Sequence, residues 1–370
     1  MAPSKSKEKK ETAKTNRRKS ASTASKAAPQ NTSSDGQTPA ELADQLSKAK
    51  NRTQMYELVK ATAGNTVPEF LKFVPEHTNR LPIPIREYRR VKVGRDEEFF
   101  PAQYVIMEST EYAIVQAPTK TNYHLIWRAV QQDRVRLMIC LCHDEQMSNS
   151  DDSKCFQYFP TEPEQTMEVD AKKGKYTLVC KSREGLSMGG MKYEIDLTDS
   201  EVVVDKNSDD PNAANEKTRR IVLFHLNTWN GQKPESGNVF EQAESVALFF
   251  REVQKHEMMI LRKSAENYVP PVMIQSFDGI NRSAVAWVAL MLFRETEKRE
   301  CFDVPNLMKS IMKFRLGSIS NYYQFCFCMA VCLNIGKEVK WCENDVKAAL
   351  ADLSAKFGAR KLNELGNLAT

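Results

Sequence analysis

One stretch limits the choice of fold more than any other: Val272 Met273 Ile274 Gln275 Ser276 Phe277 Asp278 Gly279 Ile280 Asn281 Arg282 Ser283, followed without a break by an apolar segment that ends at Arg294. The first four residues read as a strand and Asp278 Gly279 as a turn. The segment 283–294 is apolar nearly all round (Ala284, Val285, Ala286, Trp287, Val288), so it reads as a buried central helix. A strand that turns into a buried helix aims its loop amides and the helix N-terminus at one point, which attracts an anion. The predicted phosphate cradle is Ser276, Phe277, Asp278, Gly279, Ile280, Asn281 and Arg282. Arg282 can meet phosphate oxygens with both prongs of its guanidinium, or it can pin the loop through structural hydrogen bonds.

The remaining pattern predicts what surrounds the cradle. Strands are expected at 104–107, 112–115, 135–141, 167–169, 175–180, 191–197 and 220–226, with 135–141 apolar enough to be buried on both faces. Helices are expected from Thr38 onward, where a threonine N-cap precedes Pro39, and at 125–132, 241–264, 305–314 and 322–333. Val346, Leu350, Leu353 and Phe357 recur at helical spacing beyond them. The fold class is therefore α/β (α+β), a twisted mixed sheet flanked by helices, in three parts: a tail over 1–37, a main domain over 38–335, and a helical extension over 336–370.

Charge separates the tail from the rest. Residues 1–30 carry nine basic side chains against two acidic ones, a charge of +7, which leaves −2 for the remainder of a chain whose total is +5. With no aromatic residue before Tyr56, the tail is expected to be disordered, and to serve as a nuclear-import patch around Arg17 Arg18 Lys19, a loose contact for nucleic acid or acidic membrane, a phosphorylation-tunable tether, or a solubilising segment. The absence of interleaved aromatics argues against sequence-specific nucleic-acid binding. No apolar run reaches the length of a membrane span, and no apolar signal core opens the chain. Nine cysteines, an odd number set mostly in apolar stretches, suit reduced thiols in a cytoplasmic protein. Neither Cys140-x-Cys142-His143 nor Cys326-x-Cys328 has zinc-site spacing. No metal and no cofactor is expected.

The loop resembles the signature of the protein tyrosine phosphatases, His-Cys-x5-Arg-Ser/Thr, with Gln275 at the histidine position and Ser276 at the cysteine position. Other landmarks of that family follow in order over about residues 50 to 335. They are Asn79 Arg80 Leu81, the segment 98–105, Tyr112 to Pro118, Trp127 Arg128, Lys154 Cys155 Phe156 Gln157 Tyr158 Phe159 Pro160, Phe224 to Trp229 with Pro234 Glu235 Ser236, and Arg315 Leu316 Gly317 Ser318 Ile319 Ser320. The resemblance implies a tyrosine-phosphatase-like fold. It also assigns roles that this chain does not fill. The family's cysteine attacks phosphorus as a thiolate, and a serine hydroxyl with no histidine or lysine in its loop is a poor replacement. Gly231 stands where the family has its general acid, Ser320 where a glutamine positions the hydrolytic water, Leu81 where a tyrosine stacks on the substrate ring, and Ile83 where an aspartate orients the peptide. Losing the general acid alone costs on the order of 10²–10⁴-fold in rate.

These departures lead to the expectation of a pseudophosphatase, a binding or scaffolding module in phosphotyrosine or kinase signalling. A residual phosphatase acting through Ser276, and an interaction protein directed by its basic tail, are the alternatives. Asp278 is further expected to repel a phosphate dianion, and either Asp278 or a solvent anion to occupy Arg282 in its place. Asn281 is expected to hold the positive φ that a family glycine adopts there.

Overall fold

The protein is described from a computed structural model that places residues 42, 44, 48–64, 85, 89–94, 99–107, 110–170, 174–200, 217–229, 239–263, 268–298, 303–319, 321–339, 348 and 351. The basic tail, the helix start at Thr38, the positions Leu81, Ile83, Gly231 and Ser320, and most of the C-terminal extension lie outside the described residues.

Eight strands form one mixed sheet: β1 (Ala102–Met107), β2 (Thr110–Gln116), β3 (Leu137–Cys140), β4 (Thr166–Asp170), β5 (Lys175–Gly185), β6 (Met191–Asp199), β7 (Thr218–His225) and β8 (Val272–Ser276). Their spatial order is β1-β2-β8-β3-β7-β6-β5-β4. The central four, β2, β8, β3 and β7, run parallel, and the outer strands pair antiparallel. Among the described residues six helices accompany the sheet: α1 (Ala49–Gly64), α2 (Tyr123–Gln132), α3 (Val239–Lys263), α4 (Asn281–Lys298), α5 (Val304–Phe314) and α6 (Tyr322–Glu338).

Side chains alternate across a strand, so the central strands feed two cores at once. Leu137 and Ile139 of β3, Val272 and Ile274 of β8, and Tyr112 and Ile114 of β2 enter the core built with helices α3 to α6. Met138, Cys140, Met273, Ala113 and Val115 enter the other, which α2 closes with Leu125, Ile126 and Trp127. Helix α4 runs through the first core, and every side chain from Ala284 to Phe293 is buried. Fully burying one large apolar side chain contributes about 1.5–3 kcal/mol, so α4 anchors the helical layer.

The predicted strands and helices that fall among the described residues are present, and two differ most in extent. Strand β5 runs five residues beyond the apolar pattern, through Lys181 to Gly185. A bulge between Cys180 and Ser182 lets it stay paired with β6. Exposed ion pairs line this extension, Lys181 to Glu164 at 2.7 Å and Lys192 to Glu184 at 3.2 Å. Such pairs contribute little, and the backbone ladder holds the strand. Helix α6 continues past the predicted end at 333 to Glu338, where Arg251 and Glu244 of α3 pair with Glu338 and Lys337.

A buried polar network closes the end of the sheet away from the cradle. Arg294 of α4 pairs with Glu257 of α3 at 2.7 Å and donates to the Thr110 hydroxyl at 2.6 Å. The Tyr112 hydroxyl donates to the same Glu257 carboxylate at 2.7 Å. Strand β2 and helices α3 and α4 are thereby held to one another where Val272 enters the sheet.

Candidate functional site

The cradle forms where β8 leaves the sheet. Gln116 of β2 lies beside Ser276 and Cys140 of β3 beside Gln275, so the strand end is fixed from both sides. Backbone amides of Ala117 and Leu141 donate to the carbonyls of Ser276 and Gln275, each at 2.8 Å. The chain then turns over Phe277 to Ile280 and enters α4 at Asn281. Gly279 adopts φ +68°, and a Cβ there would sit 2.8 Å from the Gln116 nitrogen, so only glycine fits. Asn281 has no positive φ. That expectation is corrected: the left-handed position of the loop is Gly279, and Asn281 is the first residue of the helix.

Ser276 is fully buried, and its hydroxyl is bonded on every side. It accepts from the Gly279 amide at 3.1 Å and from the Ser283 hydroxyl at 2.7 Å, and donates to Asp278 Oδ1 at 3.1 Å. No histidine or lysine reaches it through these bonds. Asp278 in turn folds back onto the helix N-terminus: its Oδ1 accepts from the amides of Ile280 at 3.0 Å and Asn281 at 3.2 Å, and its Oδ2 from the Asn281 side chain at 2.7 Å. This is the role of an N-capping carboxylate, held by the helix dipole and by amides left free in the first turn. The chain's own anion sits where those amides would meet an external one.

Arg282 is not bound to Asp278, contrary to the sequence expectation. Its Nη1 donates to the Trp229 carbonyl at 2.9 Å and its Nη2 to the Gln146 side-chain oxygen. The guanidinium thus ties together the residue that starts the 230–238 segment and the short 3₁₀ turn at Asp144–Gln146. Trp229 is buried and stacks on Phe327 of α6 with ring centres 5.4 Å apart. The pinning role expected as the alternative for Arg282 describes these contacts.

Sequence reasoning left three supports of the site without a role. Arg315, fully enclosed behind the loop, donates from Nε to the Gly279 carbonyl at 2.9 Å. Burial pushes its guanidinium down to about 10, and the Asp278 carboxylate opposes the shift. Gln146 is the partner of Arg282, although nothing in its sequence context marks it. Gln275 receives the Tyr158 hydroxyl at 3.0 Å and donates to the Cys142 sulfur at 3.2 Å. His225 holds the Cys142 carbonyl through Nε2 at 2.8 Å, a structural role, and burial lowers its pKa.

A parallel strand, a glycine-bearing loop, a buried helix carrying an arginine in its first turn, and a second arginine behind the loop make a strand–turn–helix architecture of the tyrosine-phosphatase kind. Residues 75–334 match the family model described as protein-tyrosine phosphatase, which is more than half of the chain. This protein belongs to that family. Among curated proteins it is similar to the tyrosine-protein phosphatase non-receptor type 2 of Rattus norvegicus, 24% identical over 285 residues. The match takes in 75% of this chain and spans 61% of the length of that relative. No helix among the described residues is long and apolar enough to cross a membrane.

Proposed function

We propose that this tyrosine-phosphatase-family domain binds without hydrolysing, serving as a scaffolding module for a phosphotyrosine-type protein or a kinase. The observation that carries the reading is the Asp278 carboxylate seated on the amides of Ile280 and Asn281, beside a serine hydroxyl that has no histidine or lysine among its bonded neighbours. A phosphoryl group entering the cradle would have to displace a tethered anion, and once there would meet a hydroxyl instead of a thiolate. Site roles follow the family pattern in degenerate form: Ser276 at the nucleophile position, Gly231 at the acid position, Ser320 at the water-positioning position, and Leu81 and Ile83 at the substrate-recognition positions. The proposed location is the cytoplasm, with the basic tail as a route to the nucleus.

One observation favours a second reading, residual phosphatase activity. The Cys142 sulfur lies in the field of the Arg282 guanidinium. It is also fully buried, out of reach of a substrate phosphorus in this conformation. Steady-state assays with an aryl phosphate and a phosphotyrosine peptide separate the two. The unmodified protein is expected to match a buffer blank, and the Ser276→Cys, Gly231→Asp double variant to gain measurable turnover. Turnover by the unmodified protein that Cys142→Ser abolishes would establish the second reading and overturn the first.

A further inference from the structure

Behind the cradle lies a group of sulfur atoms that the scaffolding reading leaves unused. Gln275 Nε2 donates to the Cys142 sulfur at 3.2 Å and contacts the Cys155 sulfur at 3.7 Å. Two sulfurs that share one nitrogen at these distances lie within about 6.9 Å of each other, and the Cys155 thiol is close enough to hydrogen-bond Cys142. The backbone keeps them together. Cys142 leads into the 3₁₀ turn ending at Gln146, and Cys155 pairs back onto that turn, its amide donating to the Gln146 carbonyl and its carbonyl accepting from Ser148, each at 2.8 Å. Among the described residues no three His, Cys, Asp or Glu side chains are placed to hold a metal ion. Neither cysteine is in a disulfide.

We propose that Cys142 and Cys155 are a modification site for hydroperoxides, with Cys142 the attacking sulfur and Cys155 the resolving one. The chemistry balances in two steps. The Cys142 thiolate attacks the distal oxygen of the hydroperoxide, breaking the O–O bond to give a sulfenic acid and an alkoxide or hydroxide that takes a proton from water. The Cys155 thiol then displaces hydroxide from the sulfenic sulfur, forming the disulfide and one water, with Cys155 supplying the proton. The peroxide is reduced by two electrons and the thiol pair is oxidised by two.

The surroundings assign the roles. Burial disfavours ionisation of Cys142, but hydrogen bonds from Cys140 and Cys155, the Arg282 charge and the Gln275 amide outweigh it and hold this thiol well below the ordinary range. Burial and its bond to Cys142 push Cys140 the other way. The Cys155 thiol donates to the Phe156 carbonyl at 3.4 Å, which orients it as the resolving partner. Access runs through the surface strap between them, where Ser150, Asp151, Asp152 and Ser153 are exposed and Cys155 lies two residues from Ser153. Opening such a strap needs only part of the global unfolding free energy. This site stands whether or not the cleft binds a phosphorylated partner.

The test is a non-reducing peptide map of the full-length folded protein after brief exposure to equimolar hydrogen peroxide and alkylation of remaining thiols. A Cys142–Cys155 cross-linked peptide is expected, forming about tenfold or more faster than Cys180 or Cys332 is modified, because an unperturbed thiol is only a few per cent ionised at pH 7. In Cys155→Ser, dimedone should trap a sulfenic acid on Cys142. Circular dichroism confirms that the variant is folded, and if it is not, the map of the unmodified protein decides alone. Cys142 left intact while Cys180 or Cys332 oxidises, or dimedone adducts elsewhere than Cys142, would overturn the proposal.

Discussion

Helix α4 carries two buried arginines, one at each end, and they are held in opposite ways. Arg294, 9% exposed, meets the Glu257 carboxylate and is neutralised by it. Arg282, 6% exposed, ends on a backbone carbonyl and a side-chain amide, both uncharged. A buried cation with a paired carboxylate is a structural fixture, because removing either partner leaves the other charge stranded. Hydrogen bonds to neutral acceptors leave the Arg282 charge available to an anion. The far end of the sheet is thus sealed by compensation, whereas the cradle end keeps a positive charge while a tethered carboxylate covers the neighbouring amides.

The contrast breaks if the two arginines contribute alike. Glu257→Ala should cost about 3–5 kcal/mol in urea unfolding, because it strands Arg294 in the core. Gly279→Ala should follow at roughly 2–4 kcal/mol, from a strained positive φ and a Cβ pressed on the Gln116 backbone. Arg282→Met should cost only about 1–2 kcal/mol, since its acceptors are neutral and Gln146 is half-buried and can turn to water. Equal losses for Glu257→Ala and Arg282→Met would erase the distinction. The smallest expected effect is at His225. Burial lowers its folded pKa below the usual value, so the unfolded chain binds more protons just below about pH 6.5. Its contribution is present above that pH and is lost as pH falls through the folded value. His225→Gln should flatten that part of the stability curve, and an unchanged acid limb would show that His225 is not its source.

Much of this was legible in the residues. The alternation of Leu137 to Cys140 and the all-round apolar run of α4 follow from burial on two faces, so periodicity finds them. The strand–turn–helix cradle was legible for the same reason, together with the need for glycine at 279. The destination of the Arg282 prongs was not, because Gln146 and Trp229 lie far from it in the chain and nothing local marks a carbonyl as an acceptor. Asp278 was read as a carboxylate seeking the nearest arginine. The amides two and three residues ahead were closer, and local capping won. The sulfur group was hidden by its spacing: Cys142 and Cys155 resemble no metal motif, and only the pairing of β3 with β8 brings Gln275 between them. The outer half of β5 lacks an apolar pattern because its side chains are in water.

The central claim is that Asp278 holds the place an external anion would take. Thermal unfolding of the unmodified protein, Asp278→Ala and the Asp278→Ala, Arg282→Ala double variant, each with and without millimolar tungstate, tests it most directly. Asp278→Ala should lose about 1 kcal/mol as a cap yet gain a tungstate-dependent rise in Tm of several degrees, as expected for a ligand well above its Kd. That rise should be absent from the unmodified protein and from the double variant. An equal rise in the unmodified protein would contradict the claim, because it would mean the cradle is already open to an oxyanion.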